Sequence, residues 1–251
     1  MTRMKRLGWA LLAISTLIGC QRGDTPNAPA PATPNPAAAP TWRTDELAAK
    51  RHRQFCERAG RHDYPILFLG DSITEGWFVT GMDVWKREYR PMDAGNFGLS
   101  ADRTETMLWR LEHGELEGLS PKVVVLMIGT NNLKSGPIRH TPAQTAEGVT
   151  AVVDLLQRKL PETKILLLGI LPRQPKYEWF PAARRETNRR IAKLAKRENV
   201  RWLDFSSRFL DRQGRLREEL YREDLLHLSD KGYEVWADAM GQPLREMLAE
   251  G

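Results

Sequence analysis

The sequence predicts a three-layer α/β fold with a parallel sheet. Three observations carry this. Short apolar runs alternate with amphipathic stretches along most of the chain, several runs are continuously apolar, and the unusual polar residues fall at run ends. Strands covered on both faces read as unbroken Val, Ile and Leu, whereas half-exposed strands alternate.

Five runs are read as strands, at residues 66–69, 92–96, 123–128, 165–170 and 200–204. The second is identified mainly from its context. Residues 142–160 place Val149, Val152, Val153, Leu155 and Leu156 at helical intervals. Residues 181–199 open on proline, a favoured first helical residue, and carry Ile191, Leu194 and Ala195 on one face. A last helix starts near Ser229 or Asp230 and runs through Tyr233, Trp236, Met240 and Leu244. With 251 residues, 41% hydrophobic and 28% charged, the chain can bury one sizeable core.

The first 41 residues are expected to stand outside that core. Residues 1–6 are basic, and an apolar run at 7–18 is too short to span a bilayer but suits a signal peptide. The run ends Leu17-Ile18-Gly19-Cys20, which resembles the lipobox of bacterial lipoproteins. That resemblance implies a signal peptide over 1–19 and a lipid on Cys20, where two or three acyl chains give stable anchoring. Gln21 after the cysteine, where an aspartate would imply retention, implies the outer membrane, with the domain facing the periplasm. Residues 20–41 are a Pro- and Ala-rich linker with six prolines among positions 21–40, a composition that cannot build a core. The globular domain is assigned to 42–251.

The formal charge of +6 would fall to +3 on removal of Arg3, Lys5 and Arg6. Basic and acidic residues are interleaved, so no nucleic-acid partner is expected. Cys56 is read as a lone thiol on an N-terminal helix. The five histidines lack zinc-type spacing, and neither metal nor organic cofactor is expected.

Three segments carry candidate chemistry. Gly70-Asp71-Ser72-Ile73-Thr74 closes the first strand and can present a hydroxyl at the active edge, although Asp71 or Ser72 could merely cap a helix. It is not a Gly-x-Ser-x-Gly elbow, because Thr74 stands where the second glycine would. Gly129-Thr130-Asn131-Asn132 closes the third strand. Asparagine there is often only a turn former, but its amide can also donate to an oxyanion. Asp224-Leu225-Leu226-His227 puts a carboxylate and an imidazole three residues apart, on one side of a turn. A carboxylate beside imidazole fixes its tautomer and stabilises the imidazolium formed when it takes a serine proton.

In this order and at these positions, the segments resemble the SGNH (GDSL-type) hydrolase family across residues 64–247. The resemblance implies the flavodoxin-like α/β/α sandwich of that family, with a five-stranded parallel sheet. It implies Ser72 as nucleophile, His227 as general base and acid, and Asp224 as its orienting carboxylate. The oxyanion hole would comprise the Ser72 and Ala101 backbone N–H groups and the Asn131 side chain. The family carries glycine at the Ala101 position, so alanine would be strained if the turn needs a positive φ.

Leu108-Trp109-Arg110-Leu111, Gly114-Glu115-Leu116-Glu117 and Pro121-Lys122-Val123 are most similar to the α-subunit type of platelet-activating-factor acetylhydrolase IB esterases. That group implies an acyl pocket at Ile73, Thr130 and Leu226, sized for acetyl, and a homodimer. The expectation is an acetyl esterase acting on carbohydrates. The alternatives are a lysophospholipase or thioesterase with the same triad, or a catalytically silent, lipid-tethered glycan binder supported only by Ala101. Trp77, Phe78, Tyr177, Trp179 and Phe180 are candidates either to stack on a sugar or to cap the core.

Overall fold

The computed structural model describes residues 34–134, 139–174 and 179–250. The signal segment and Cys20 lie outside them. The compact unit begins at Pro34 rather than at residue 42. Part of the segment read as linker therefore packs on the domain. Pro36–Ala38 form a 3-10 turn capped by Asn35, Ala37 is fully buried, and Thr104 Oγ1 donates to the Ala37 carbonyl at 2.7 Å.

In chain order the elements are α1 (Glu46–Ala59), β1 (Ile66–Gly70), α2 (Ser72–Glu75), α3 (Met82–Glu88), β2 (Ala94–Gly98) and α4 (Thr104–Glu112). There follow β3 (Val123–Met127), α5 (Pro142–Lys159), β4 (Lys164–Leu168), α6 (Phe180–Ile191), β5 (Val200–Leu203) and α7 (Asp230–Ala249). The five strands are all parallel, in the order β2-β1-β3-β4-β5. Ile66 pairs with Ala94 on one side and Val123 on the other. This is the three-layer sandwich read from the sequence.

Alternate strand residues feed two cores. Leu67, Leu69, Val124, Leu126, Ile165 and Leu167 face α1, α4 and α5. Ile66, Phe68, Val123, Val125, Leu166 and Leu168 face Trp77, Trp85, Trp236, Met240 and Leu244. Each such buried side chain is worth about 1.5–3 kcal/mol relative to exposure. Helix starts follow their sequence signals. Asp45 caps α1, Thr141 and Gln144 form a reciprocal capping box on α5, and Ser229 caps α7.

Two elements differ from the sequence reading. β2 begins two residues late, because Pro91 lies in a 3-10 turn and Asp93 turns left-handed (φ 55°) before pairing begins. Its polar Asn96 is buried and satisfied, donating to the Thr74 carbonyl at 3.0 Å and accepting from the Gly98 N–H at 2.9 Å. The helix read at 181–199 ends at Ile191 and tightens into a 3-10 stretch over Ala192–Lys196.

The aromatic residues also divide. Trp77 is fully buried against Phe68, Tyr233 and Trp236, and Phe180 is 2% exposed, so both belong to the core rather than to a sugar platform. Phe78 and Trp179 are half-buried, and Tyr177 lies outside the described residues. No described helix is long and apolar enough to cross a membrane.

Candidate active site

The order β2-β1-β3 places a topological switch at β1, where the chain leaves toward one neighbour and later returns beside the other. The carboxyl ends of these three strands deliver Asp71-Ser72, Ser100-Ala101 and Thr130-Asn131 to one edge of the sheet. Gly98 allows β2 to end against α2, since a Cβ there would lie 2.3 Å from the Glu75 nitrogen.

Ser72 is the first residue of α2. Asp71 caps that turn, its Oδ1 accepting from the Ile73 N–H at 2.9 Å. Ser72 Oγ lies 2.8 Å from His227 Nε2, and His227 Nδ1 lies 2.6 Å from Asp224 Oδ2. The carboxylate cannot donate when ionised, so Nδ1–H donates to it and the Nε2 lone pair is left for the serine hydroxyl.

Asp224 Oδ1 also accepts from the Leu226 and His227 N–H groups, at 3.0 and 2.9 Å. This double-back requires Leu225 at φ 48°, a conformation costing a leucine about 1–2 kcal/mol. The surroundings hold the turn. Arg222 N–H donates to the His227 carbonyl at 2.8 Å, Gln174 N–H donates to the Leu225 carbonyl at 2.9 Å, and Tyr221 bridges Leu228. Desolvation raises the Asp224 pKa, but the bonds from the His227 side chain and from the two backbone N–H groups outweigh it. Its carboxyl is held below the ordinary value.

Ala101 sits at φ 64°, in a turn closed by Asp102 N–H donating to the Leu99 carbonyl at 3.1 Å. Asn131 Nδ2 donates to the Asp102 carbonyl at 2.9 Å, so the end of β3 is tied to the loop after β2 with a second amide hydrogen to spare. Its neighbour Asn132 repeats the tie below the surface, Oδ1 accepting from the Thr104 N–H at 3.0 Å and Nδ2 lying 2.8 Å from Glu105 Oε2. Ile73 and Thr130 are buried beside the serine and the asparagine in the chain, and Leu226 is half-buried beside His227.

A charged scaffold beneath the Ala101 turn was not read from the sequence. Asp102 and Arg110 are buried and paired at 2.6 Å, Glu115 takes the other side of the guanidinium, and Arg110 Nη2 donates to the Phe97 carbonyl at 2.9 Å. Glu75 accepts from both the N–H and the hydroxyl of Ser100, and is held by Arg51 at 2.6 Å. The available signal was Arg110 itself, an arginine among Met107, Leu108 and Leu111 on the apolar face of α4.

Asp71 is buried, and desolvation pushes its carboxyl up from 3.8 to about 7, with Asp102 adding to the rise and Arg173 opposing it. The Cys56 thiol is half-buried and pushed up by burial and by Glu115. No group of three or more His, Cys, Asp or Glu among the described residues could hold a metal ion.

Residues 68–235 match the GDSL-like lipase/acylhydrolase family. The human platelet-activating factor acetylhydrolase IB subunit alpha1 is 33% identical over 226 residues, covering 86% of this chain and 92% of that protein. The human alpha2 subunit is 31% identical, covering 86% and 93%. The fold is shared with a GDSL-like lipase from Bacteroides thetaiotaomicron at a TM-score of 0.65, 20% identity and coverage of 78% and 97%. It is also shared with an acetylxylan esterase from Geobacillus stearothermophilus at 0.57, 18% identity and coverage of 72% and 93%. A match spanning most of the folded unit, on the strands and loops that carry the hydroxyl, imidazole and amide, makes this chain a member of the GDSL-like lipase/acylhydrolase family and a carboxylic ester hydrolase.

Proposed function

We propose that the protein hydrolyses acetyl and other short-chain esters, with O-acetylated carbohydrates as its natural substrates, through an acyl-enzyme on Ser72. The observation that carries this reading is the unbroken hydrogen-bond chain from Asp224 through His227 to Ser72.

Ser72 Oγ attacks the ester carbonyl carbon as its proton passes to His227 Nε2, and Asp224 stabilises the imidazolium. The tetrahedral oxyanion takes hydrogen bonds from the Ser72 and Ala101 N–H groups and from the free amide hydrogen of Asn131, each such donor being worth about 3–4 kcal/mol in the barrier. Collapse breaks the bond to the alcohol, which leaves with the proton from His227. Water then gives a proton to His227 and attacks the acyl carbon. Collapse breaks the bond to Ser72 Oγ, which takes the proton back from His227 as the acid product leaves and ionises to acetate.

Ile73 and Thr130, both buried, and half-buried Leu226 support an acetyl-sized acyl site. The human relatives are acetylhydrolases, and one protein of the same fold acts on acetylated xylan. The test is a p-nitrophenyl ester series from acetate to octanoate. Rates falling steeply beyond acetate support the reading, and a preference for octanoate would move it to a lysophospholipase or thioesterase. Folded protein inactive on every ester would make it a silent binder.

The sequence pattern around Cys20 supports a place for the enzyme in the bacterial envelope, held through a lipid on that cysteine and facing the periplasm. Metabolic labelling with a palmitate analogue tests this. Label lost in a Cys20→Ala variant supports it, and label absent from the wild type contradicts it.

A further inference from the structure

Beside the triad loop lies a cavity of about 310 Å³ whose wall combines apolar side chains with an excess of arginines. Leu225, between Asp224 and His227, forms part of that wall, together with Phe180, Leu210 and Leu216. Arg173, Arg184, Arg185 and Arg215 line it against the single carboxylate of Glu218.

Arg215 is already paired with Asp211 at 2.8 Å. The others form no ion pair among the described residues. Arg184 is 5% exposed, and among the described residues its Nη1 donates only to the Ile170 carbonyl at 3.2 Å. The central guanidinium carbon of Arg173 lies over the Phe180 ring, 4.1 Å from its centroid, and its buried Nε has no hydrogen-bond partner among the described residues. Desolvation pushes both guanidiniums below the ordinary arginine value, while the more distant Asp71 and Asp204 pull the other way. Burying a cation without an anion beside it is costly, and an anion bound in the cavity would offset that cost. A guanidinium lying over an aromatic ring keeps its full charge, and its fork of N–H donors matches the two oxygens of a planar carboxylate.

We propose that this cavity is a subsite for a carboxylate on the acetylated molecule, so that the preferred substrate is an O-acetylated acidic sugar rather than a neutral one. The inference rests on the esterase reading for the ester itself, whereas the subsite stands on its own geometry. The cavity falls at the small end of the roughly 300–1,000 Å³ of small-molecule sites, which suits one sugar ring. Leu210, Leu216 and Leu225 offer apolar surface to its C–H face, and Arg173, Arg184 and Arg185 meet the acid. Leu225 couples the two sites, because its carbonyl is held by Gln174, the residue after Arg173.

The test separates binding from catalysis. Calorimetry with the full chain carrying Ser72→Ala compares methyl glucuronoside, methyl glucoside and inorganic phosphate. The glucuronoside should bind at least about tenfold more tightly than the glucoside, as expected for one charge-assisted contact. That preference should collapse in Arg173→Gln and in Arg185→Gln, the second being an exposed position that does not endanger folding. Equal affinity for the two glycosides, a preference that survives both substitutions, or capture of phosphate without preference for the glucuronoside would overturn the subsite. In parallel, wild-type kcat/KM on the O-acetylated forms of both glycosides reads the ester chemistry. Tight glucuronoside binding with no hydrolysis would retain the subsite and remove the esterase reading.

Discussion

Asn131 Nδ2 donates to the backbone carbonyl of Asp102 at 2.9 Å, joining the end of β3 to the turn that presents the Ala101 N–H. Two of the three proposed oxyanion donors are thereby held in one frame before substrate arrives. Such preorganisation gives a donor its value, since nothing need reorient as charge develops. Asn131→Ala should lower kcat about 10²–10³-fold on p-nitrophenyl acetate with KM little changed. Steady-state kinetics check this, and a change confined to KM would remove Asn131 from the oxyanion site.

Ala101 adopts φ 64°, where a Cβ is disfavoured by about 1–2 kcal/mol, while glycine's extra freedom in the unfolded chain offsets part of that gain. Ala101→Gly should therefore stabilise the protein by up to about 1 kcal/mol and leave the ester reaction intact. Urea unfolding measures it. A clear loss of stability would show that the turn is not strained by alanine.

Arg110 is buried between Asp102 and Glu115 and also donates to the Phe97 carbonyl. Arg110→Met leaves two buried carboxylates without their cation. It should cost about 3–5 kcal/mol, with the loss of stability exceeding that of any exposed arginine substitution. Thermal unfolding of Arg110→Met beside Arg212→Met provides the comparison, and similar Tm values would contradict it.

Burial raises the Asp71 carboxyl from 3.8 to about 7, so the folded state holds this proton more tightly than the unfolded chain. The stability linked to it is fully present below 3.8 and is lost as pH rises through about 7. Asp71→Asn does not titrate and can still accept from the Ile73 N–H. Its stability relative to wild type should rise by on the order of a few kcal/mol between about pH 4 and pH 8. Paired unfolding curves across that range test the sign, and a constant gap would refute it.

The sheet was legible because β1, β3 and β4 are buried on both faces and read as unbroken apolar runs. β2 was blurred because its buried Asn96 is satisfied by the chain around it, so its strand character lies in hydrogen bonds rather than hydrophobicity. Ser72, Asp224 and His227 were visible as residue types at strand ends and in one turn, but 155 positions separate the hydroxyl from the imidazole, and only the fold brings them to 2.8 Å. The Asp102–Arg110–Glu115 cluster and the arginines around Leu225 were hidden for the opposite reason. Arginine usually marks a solvated surface, and neither burial nor a missing partner can be read from one chain. Residues 34–41 looked like spacer by composition, yet Asn35 and Ala37 dock on α4 and α5 through a few specific bonds.

The most direct test of the central claim is the covalent intermediate. Rapid quenching of the enzyme with p-nitrophenyl acetate, followed by peptide mass spectrometry, should find one acetyl group on Ser72. The acetyl group should accumulate in His227→Ala only slowly and be absent from Ser72→Ala. An acetyl group on another residue, or turnover that persists in Ser72→Ala, would contradict the assignment of this serine as the nucleophile.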